Sequence, residues 1–260
     1  MESLLQDLRY ALRGLRTDWR FSAFVLATLA LGIGANAAMF SVADRFFVRP
    51  PPGITDPSTL RRLYIHSNWS FGEVWEIRPG FYFAAFDALK GTLAPRAQLA
   101  AYTAPDTVRF GEGDAATTVR ASYATATYLP LLGVRPALGR FYTEAEDRMG
   151  DGSLVAVLSH AFWRRRFSGD SSVVGRTLDI AWQRYTIVGV AAAGFAGADL
   201  DATEIWIPIS TFPRVSPAAM PWYRSWRYDP QLKIMARVAA STANDWVSAS
   251  ATTAFRRGEA

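Results

Sequence analysis

The stretch from Phe21 to Ala43, FSAFVLATLALGIGANAAMFSVA, carries no charged residue. A helix of roughly 23 residues rises about 35 Å, against a bilayer hydrocarbon core of about 30 Å. A helix at the surface of a water-soluble core seldom runs so long without a charge, because one of its faces meets solvent. The segment therefore reads as a transmembrane helix over residues 21–43, and it divides the chain between two compartments. Its second half holds Gly32, Gly34, Asn36 and Ser41. Small residues let helices approach closely within a membrane, and a lone asparagine can hydrogen-bond a neighbouring helix. These four residues form the candidate packing surface of the span. A second reading is a signal peptide, with a basic leader, an apolar run and Ala35-Asn36-Ala37 at a cleavage site. Against it, the leader is long and amphipathic, and the apolar run exceeds the roughly 7–15 residues of a signal peptide. Both readings put the bulk of the chain outside the cytoplasm.

Residues 1–20 predict a helix lying on the membrane. Leu4, Leu8, Leu12, Leu15 and Trp19 recur at helical spacing and make one apolar stripe, while Arg9, Arg13, Arg16 and Arg20 fall on the other side. That division, with a tryptophan beside the span, describes an interfacial helix. A short soluble helix packed on a partner is the competing reading. Four arginines precede the span closely, and only Arg45 and Arg49 follow within the same distance, so the positive-inside rule places the N-terminus in the cytoplasm.

The remainder reads as an α+β domain. Residues 44–57 include Arg49 to Pro57, a proline-rich run that cannot continue a helix and serves as a rigid spacer. Arg61 to His66 predicts a first strand, and Tyr82 to Lys90 a helix stopped by Gly91. Strands follow at Leu99–Tyr102, Thr107–Phe110 and Thr117–Ser122, the last two joined by Gly111-Glu112-Gly113-Asp114. Thr127 to Leu132 is a short helix closed by Gly133. Thr143 and Glu146 have capping-box spacing and predict a short acidic helix. Leu154–Leu158 is a buried strand, and Ser159 caps a helix from His160 to Phe167. Thr177–Ala181 and Tyr185–Val190 are strands. Ile205–Ile209 contains Pro208 and is placed at a sheet edge. Leu232–Val238 is the last strand, and Asn244–Arg257 a weakly patterned helix.

The chemistry-bearing patterns are few. The chain has no cysteine, which excludes disulfides and thiolate metal sites. It has no G-x-x-x-x-G-K-[ST] loop for nucleotide phosphates and no G-x-S-x-G nucleophile elbow. His66 and His160 have no metal-ligand spacing. Glu144, Glu146 and Asp147 read as a solvated helix start rather than a metal site. The net charge of +5 is dispersed, and Phe162-Trp163-Arg164-Arg165-Arg166-Phe167 reads as a helix with its rings buried and its arginines in water, not as a nucleic-acid surface. No residue is named as catalytic, cofactor-binding or metal-binding, and the chain is not expected to be an enzyme. Trp222, Tyr223, Trp226 and Tyr228 in a Pro-rich loop could offer an apolar surface to a substrate, a partner or the outer leaflet, or close over the core as a lid.

Several blocks, DLRYALRGLR, LATLALGIGANAAMFSV, LLGVRPALGRFYTEAED, VAVLSHAFWRRRFSGD, VVGRTLDI and YTIVGVAAAGF, occur in one order. Together they resemble the MacB/FtsX-type ABC transporter permeases, in particular the branch of duplicated permeases, over about Leu5 to Ile209 and more weakly over Leu232 to Val238. The resemblance implies a cytoplasmic amphipathic helix, a first transmembrane helix in a bacterial inner membrane, and an extracytoplasmic core domain over 58–260. It implies a porter-like subdomain, 58–135 and 230–260, and an inserted subdomain, 136–229. It also implies further permease helices, a separate ATP-binding subunit and surrounding membrane lipid as partners, with homo- or hetero-oligomers compatible with it. ATP-driven motion would pass through the permease to the core domain and drive export or release of a substrate.

Three departures stand out. Relatives enter a second transmembrane helix soon after the position of Ala260, and no second long apolar run occurs here, so the expectation is a fragment that does not transport alone. Between Ile180 and Tyr185 this chain carries Ala181-Trp182-Gln183-Arg184 where relatives usually have an Asn-Gly turn, which leaves the turn type open. Ala192-Ala193-Gly194-Phe195 stands where Pro-Pro-Gly-Phe is usual, and a looser loop is expected. The alternative function is a secreted or membrane-anchored extracytoplasmic binding module with no transport role.

Overall fold

The computed structural model describes residues 19–43, 51–68, 75–78, 80–212, 231–239 and 242–259. The chain divides into two compact units, Met1–Pro50 and Pro51–Ala260. The expected interfacial helix lies outside the described residues except for its last two positions, and so do residues 44–50 of the spacer and the aromatic loop with Trp222, Tyr223, Trp226 and Tyr228.

In the first unit, helix α1 (Trp19–Ala43) is a single uninterrupted rod. Trp19–Ser41 within it is long and apolar enough to cross a membrane. Phe21, Phe24, Leu31 and Met39 are each about 70% or more exposed, so within this unit the apolar surface has no protein cover among the described residues.

The second unit is an α+β domain on a mixed ten-stranded sheet. Strand β1 (Leu60–Leu63) is followed by the small antiparallel pair β2 (Ile65–Asn68) and β3 (Trp75–Arg78). Helix α2 (Phe83–Leu93) leads to β4 (Ala97–Tyr102), β5 (Asp106–Phe110) and β6 (Thr117–Ala124). Next come α3 (Tyr128–Leu131), β7 (Pro136–Gly139), β8 (Val155–Leu158) and α4 (His160–Phe167). The chain continues with β9 (Thr177–Ile180), β10 (Gln183–Ala191), β11 (Ile205–Pro208), β12 (Lys233–Val238) and α5 (Asn244–Glu259). The sheet order is β1-β12-β4-β6-β11-β8-β10-β9-β5, with β7 beside β10. Because β5 also pairs β6, the six strands β6, β11, β8, β10, β9 and β5 return on themselves. Among the described strands, β8–β10 and β6–β11 are the parallel pairs.

Alternation along the strands sorts side chains onto two cores, one on each face. In β11, Ile205 and Ile207 join one cluster and Trp206 the other. Leu99 and Ala101 alternate in the same way with Ala100 and Tyr102 in β4. The first cluster includes Leu89 and Leu93 of α2 and Val247 and Ala254 of α5, which lie against the sheet on that side. The second gathers Tyr128, Leu129 and Leu132 around α3, with Phe195 and Trp206.

Four local expectations are corrected. The first strand breaks at exposed Tyr64, because β1 pairs β12 while β2 pairs β3. Helix α2 runs through Gly91 to Leu93, since Gly91 faces open space and continuing the helix buries Leu93 one turn after Leu89. The capping box at Thr143 forms, with its amide donating to Glu146 Oε2 over 2.8 Å, yet turns follow it instead of a helix. Arg140 takes the same carboxylate at 2.7 and 2.8 Å, and the next residue, Asp147, turns inward. Strand β11 is central, between β6 and β8. The β8 ladder covers only Ile205 and Trp206, so the N–H that Pro208 lacks falls beyond it.

The β9–β10 hairpin closes with a two-residue turn, Ile180 facing Gln183. Ala181 and Trp182 both have positive φ, 48° and 69°, the backbone of a type I′ turn built without glycine or asparagine. Trp182 is 82% exposed and takes the Arg109 guanidinium over its ring at 4.1 Å. Left-handed backbone costs a side-chain-bearing residue about 1–2 kcal/mol, and an exposed cation–π contact returns about 0.5–1. The double substitution A181N/W182G is expected to stabilise the domain by about 1 kcal/mol, read as a higher urea midpoint at unchanged slope. An unchanged or lower midpoint would show that the Arg109 contact outweighs the strain.

Candidate functional site

The structure separates the four candidate packing residues of α1 into two pairs. At 3.6 residues per turn, Gly32 and Asn36 share one side, and Gly34 and Ser41 lie roughly opposite. Asn36 donates to the Gly32 carbonyl at 2.9 Å and Ser41 to that of Ala37 at 2.8 Å, so both polar side chains are satisfied along their own helix. Gly34 and Ser41 belong to a longer stripe that spacing of four and three residues generates: Ala23, Ala27, Ala30, Gly34, Ala37 and Ser41. Gly32 and Asn36 instead sit near Val25, Leu29 and Met39. The stripe is legible as a heptad pattern once helical phase is counted.

In the second unit, the loop between β10 and β11 is tied across the sheet by one carboxylate. Asp199 pairs with Arg62 of β1 at 2.6 Å and with Lys233 of β12 at 2.7 Å. Tyr102 of β4 donates its hydroxyl to Asp199 at 3.2 Å and accepts from Arg62 at 3.0 Å. Tyr128 lies against Tyr102, ring centroids 4.5 Å apart and tilted by 32°, and accepts the Ala198 amide. Burial works to raise the Asp199 carboxyl, but the hydrogen bond and charge of Lys233 and the charge of Arg62 outweigh it and hold it below the usual value. Burial pushes the Tyr102 phenol strongly up, so it stays a neutral donor. Arg62, Asp199 and Lys233 are too far apart in the chain for any spacing to reveal the group.

Asp147 is a second half-buried carboxylate that turns inward, where a solvated position was expected. Its oxygens accept the Ala126 amide at 2.9 Å and the Ser210 amide at 3.0 Å, joining the β7–β8 connection to the ends of β6 and β11. An open groove of about 520 Å³ lies close by, lined by Lys90, Gln98, Leu99, Thr127, Tyr142 and Glu144 among others. Burial raises the Asp147 carboxyl to about 6, against the two amides that favour its charged form. A folded-state value above the unfolded one means the fold binds this proton more tightly. Its contribution therefore grows as pH falls through 6 and is complete near 4, below which the unfolded carboxyl is also protonated. Relative to Asp147→Asn, the wild type is expected to gain about 2 kcal/mol between pH 7.5 and 4.5. Equal pH slopes in urea unfolding of the two proteins would contradict this.

The remaining sequence candidates have structural partners. Ser159 Oγ accepts the Phe162 amide at 3.2 Å and caps α4. His160 sits edge-on to Trp163. Phe162 is buried and Phe167 half-buried, while the arginines of α4 are exposed, Arg165 pairing with Glu204 and Arg166 lying over Phe110. Among the described residues no three His, Asp or Glu side chains gather as a metal site.

A family model for the MacB-like periplasmic core domain matches residues 22–254. Among solved structures, the fold is similar to that of a domain assigned to a permease from Porphyromonas gingivalis, with TM-score 0.60, 15% identity, and 81% of this chain and 84% of that one covered. It is similar to the periplasmic region of MacB from Actinobacillus actinomycetemcomitans, with TM-score 0.54, 13% identity, and coverage of 79% and 85%. It is also similar to the extracellular domain of the noncanonic ABC-type transporter YknZ from Gram-positive bacteria, with TM-score 0.53, 13% identity, and coverage of 77% and 94%. A search of curated proteins finds no match. An apolar N-terminal helix, a mixed-sheet α+β domain and a family match running through both identify a membrane protein with an extracytoplasmic domain: the chain belongs to the MacB-like periplasmic core domain family of ABC transporter permease components.

Proposed function

We propose that this chain carries ATP-driven motion from a separate ATP-binding protein across the inner membrane to its α+β domain, where the motion drives export or release of a substrate. The N-terminus is then cytoplasmic, and α1 packs on other permease helices through Ala23, Ala27, Ala30, Gly34, Ala37 and Ser41. The observation that carries this reading is that stripe, six small residues in register along a helix of membrane-spanning length. A continuous line of small residues along one side lets another helix approach closely. A single helix encloses no polar path, so further helices must complete the pathway. Within the domain, the grouping of β1, β12 and β4 with α2 and α5 supports a porter-like subdomain, 58–135 and 230–260, and the strands β8 to β10 support an inserted one, 136–229. The sheet continues from one grouping into the other, a route by which displacement in one reaches the other.

The test is purification of the full chain from its own membranes in mild detergent, followed by assay of vanadate-sensitive ATP hydrolysis in the eluate. The reading expects activity to accompany the wild type. It expects A30L/G34L to lose at least about tenfold of it at equal expression, because leucine at those positions holds helices apart. Absence of activity with the wild type, or a mature N-terminus beginning after Ala37, overturns it in favour of a secreted module.

A further inference from the structure

The segment that follows the membrane helix was expected as a rigid spacer over 44–57, but its described part, residues 51–57, lies docked on the domain together with Ser58 and Thr59. Pro52 packs against Gly194, and Gly53 against Phe195. Ile54 joins the cluster around Trp206. The Thr55 amide donates to the Leu132 carbonyl at 3.0 Å, and the Thr55 side chain fills the space where a Cβ on Gly133 would stand. Gly133 has a φ of +74°, so that position favours glycine twice over, by backbone and by space.

One side chain closes this strap. Arg237 in β12 reaches it with a guanidinium that donates to Thr55 O at 2.7 Å, Asp56 O at 3.2 Å and Thr59 Oγ1 at 2.5 Å. Its Nε donates to Leu131 O at 2.7 Å, at the end of α3. The strap and β12 are about 180 residues apart in sequence. Asp56 has a φ of 46° without being glycine, and its carbonyl also accepts the Thr59 amide and hydroxyl. Such backbone strain persists where surrounding bonds over-determine it.

We propose that Arg237 is a clasp: a positioning residue that fixes residues 51–59 to β12 and α3, so that displacement of the chain leaving the membrane helix is delivered to the sheet instead of being absorbed by slack. The inference rests on the motion-relay reading for its purpose, but the clasp is a mechanical property measurable without any partner. Guanidinium geometry is what the site uses, because three differently directed donors meet four acceptors. A lysine cannot replace it, having one compact charged group on a flexible stem.

The chain has no cysteine, so two introduced cysteines give unique attachment points. The full chain carrying V48C and D114C, held in detergent, is pulled between handles in a single-molecule trap. With Arg237 present, the tether lengthens only when β1 and the sheet give way. In R237M an earlier low-force step of about 20–30 Å appears as residues 51–59 peel off, the reach of about nine extended residues. Hydrogen exchange at the Thr55 amide accelerates at least tenfold in the variant, while the Thr125 amide, bonded to Ala101 O in the sheet, is unchanged. R237K, which keeps the charge, reproduces the early step and serves if R237M fails to fold. The proposal is overturned if the wild type already shows the early step, if neither variant does, or if Thr125 exchange rises in parallel with Thr55. Loss of ATPase co-purification in the preceding experiment would remove the relay and leave the clasp standing; identical traces would remove the clasp and leave the relay.

Discussion

Replacing Asp199 with asparagine is expected to lower the stability of the domain by about 3 kcal/mol. The carboxylate is 11% exposed, and its two cationic partners, Arg62 and Lys233, are 27% and 22% exposed. Removing the negative charge leaves two half-buried cations facing each other across neighbouring strands with one shared amide in place of a carboxylate. The cost of breaking a buried ion pair comes mainly from the charge left behind. The asparagine keeps the volume, so packing loss is small and the effect is electrostatic. The same argument makes R62M/D199L/K233M milder than D199N, because it leaves no orphan charge. Urea unfolding of the three proteins in the same detergent decides the matter. A D199N midpoint close to wild type would mean that water already solvates this group, and the loop between β10 and β11 would then be held by other contacts, among them Phe195 on Trp206 and the Ala198–Tyr128 bond.

Trp206→Ala is expected to cost about 4 kcal/mol, and Trp206→Phe much less than a tryptophan of this burial would suggest. Trp206 is fully buried in the central strand β11 and stacks on Phe195 at 5.4 Å with 27° between the rings. Alanine there opens a cavity between the sheet and the α3 side of the core. Its indole N–H has no hydrogen-bond partner among the described residues. A buried donor without a partner costs about 1–3 kcal/mol, and phenylalanine removes that donor while keeping an aromatic ring against Phe195. The expected W206F loss is about 1 kcal/mol, the difference between reduced ring volume and a relieved desolvation penalty. If W206F proved as damaging as W206A, the indole N–H would have to be satisfied in the folded protein, for instance by a buried water.

Local patterns carried much of the architecture. The uncharged run at 21–43 specified α1, since it is long and apolar enough for a helix to cross a membrane. Ser159 specified the start of α4, and Gly133 the end of α3, because a cap and a left-handed residue act within one turn of the helix they bound. Strands β8, β10 and β12 were visible as apolar runs. Errors arose where a local signal met a distant demand. Gly91 did not end α2 because Leu93 had a core to enter. Pro208 did not push β11 to an edge because its missing N–H fell past the end of the neighbouring ladder. The capping box at Thr143 opened no helix because Arg140 and the inward turn of Asp147 claimed the following residues.

The candidate site divided along the same line. A stripe of small residues on α1 needs only helical phase, so Gly34 and Ser41 could be grouped, and Gly32 and Asn36 set apart, from the chain alone. The Asp199 group and the Arg237 clasp join strands whose neighbours in the sheet come from opposite ends of the domain, and no spacing announces them. Composition and periodicity determined a helix of membrane-spanning length followed by an α+β domain, because hydrophobic length and alternation act over a few turns or strands. Which strands became neighbours, which carboxylates went inside and what held the strap in place were decided only by the tertiary structure, because a buried charge or carbonyl is satisfied by whatever the fold brings beside it, at any distance along the chain.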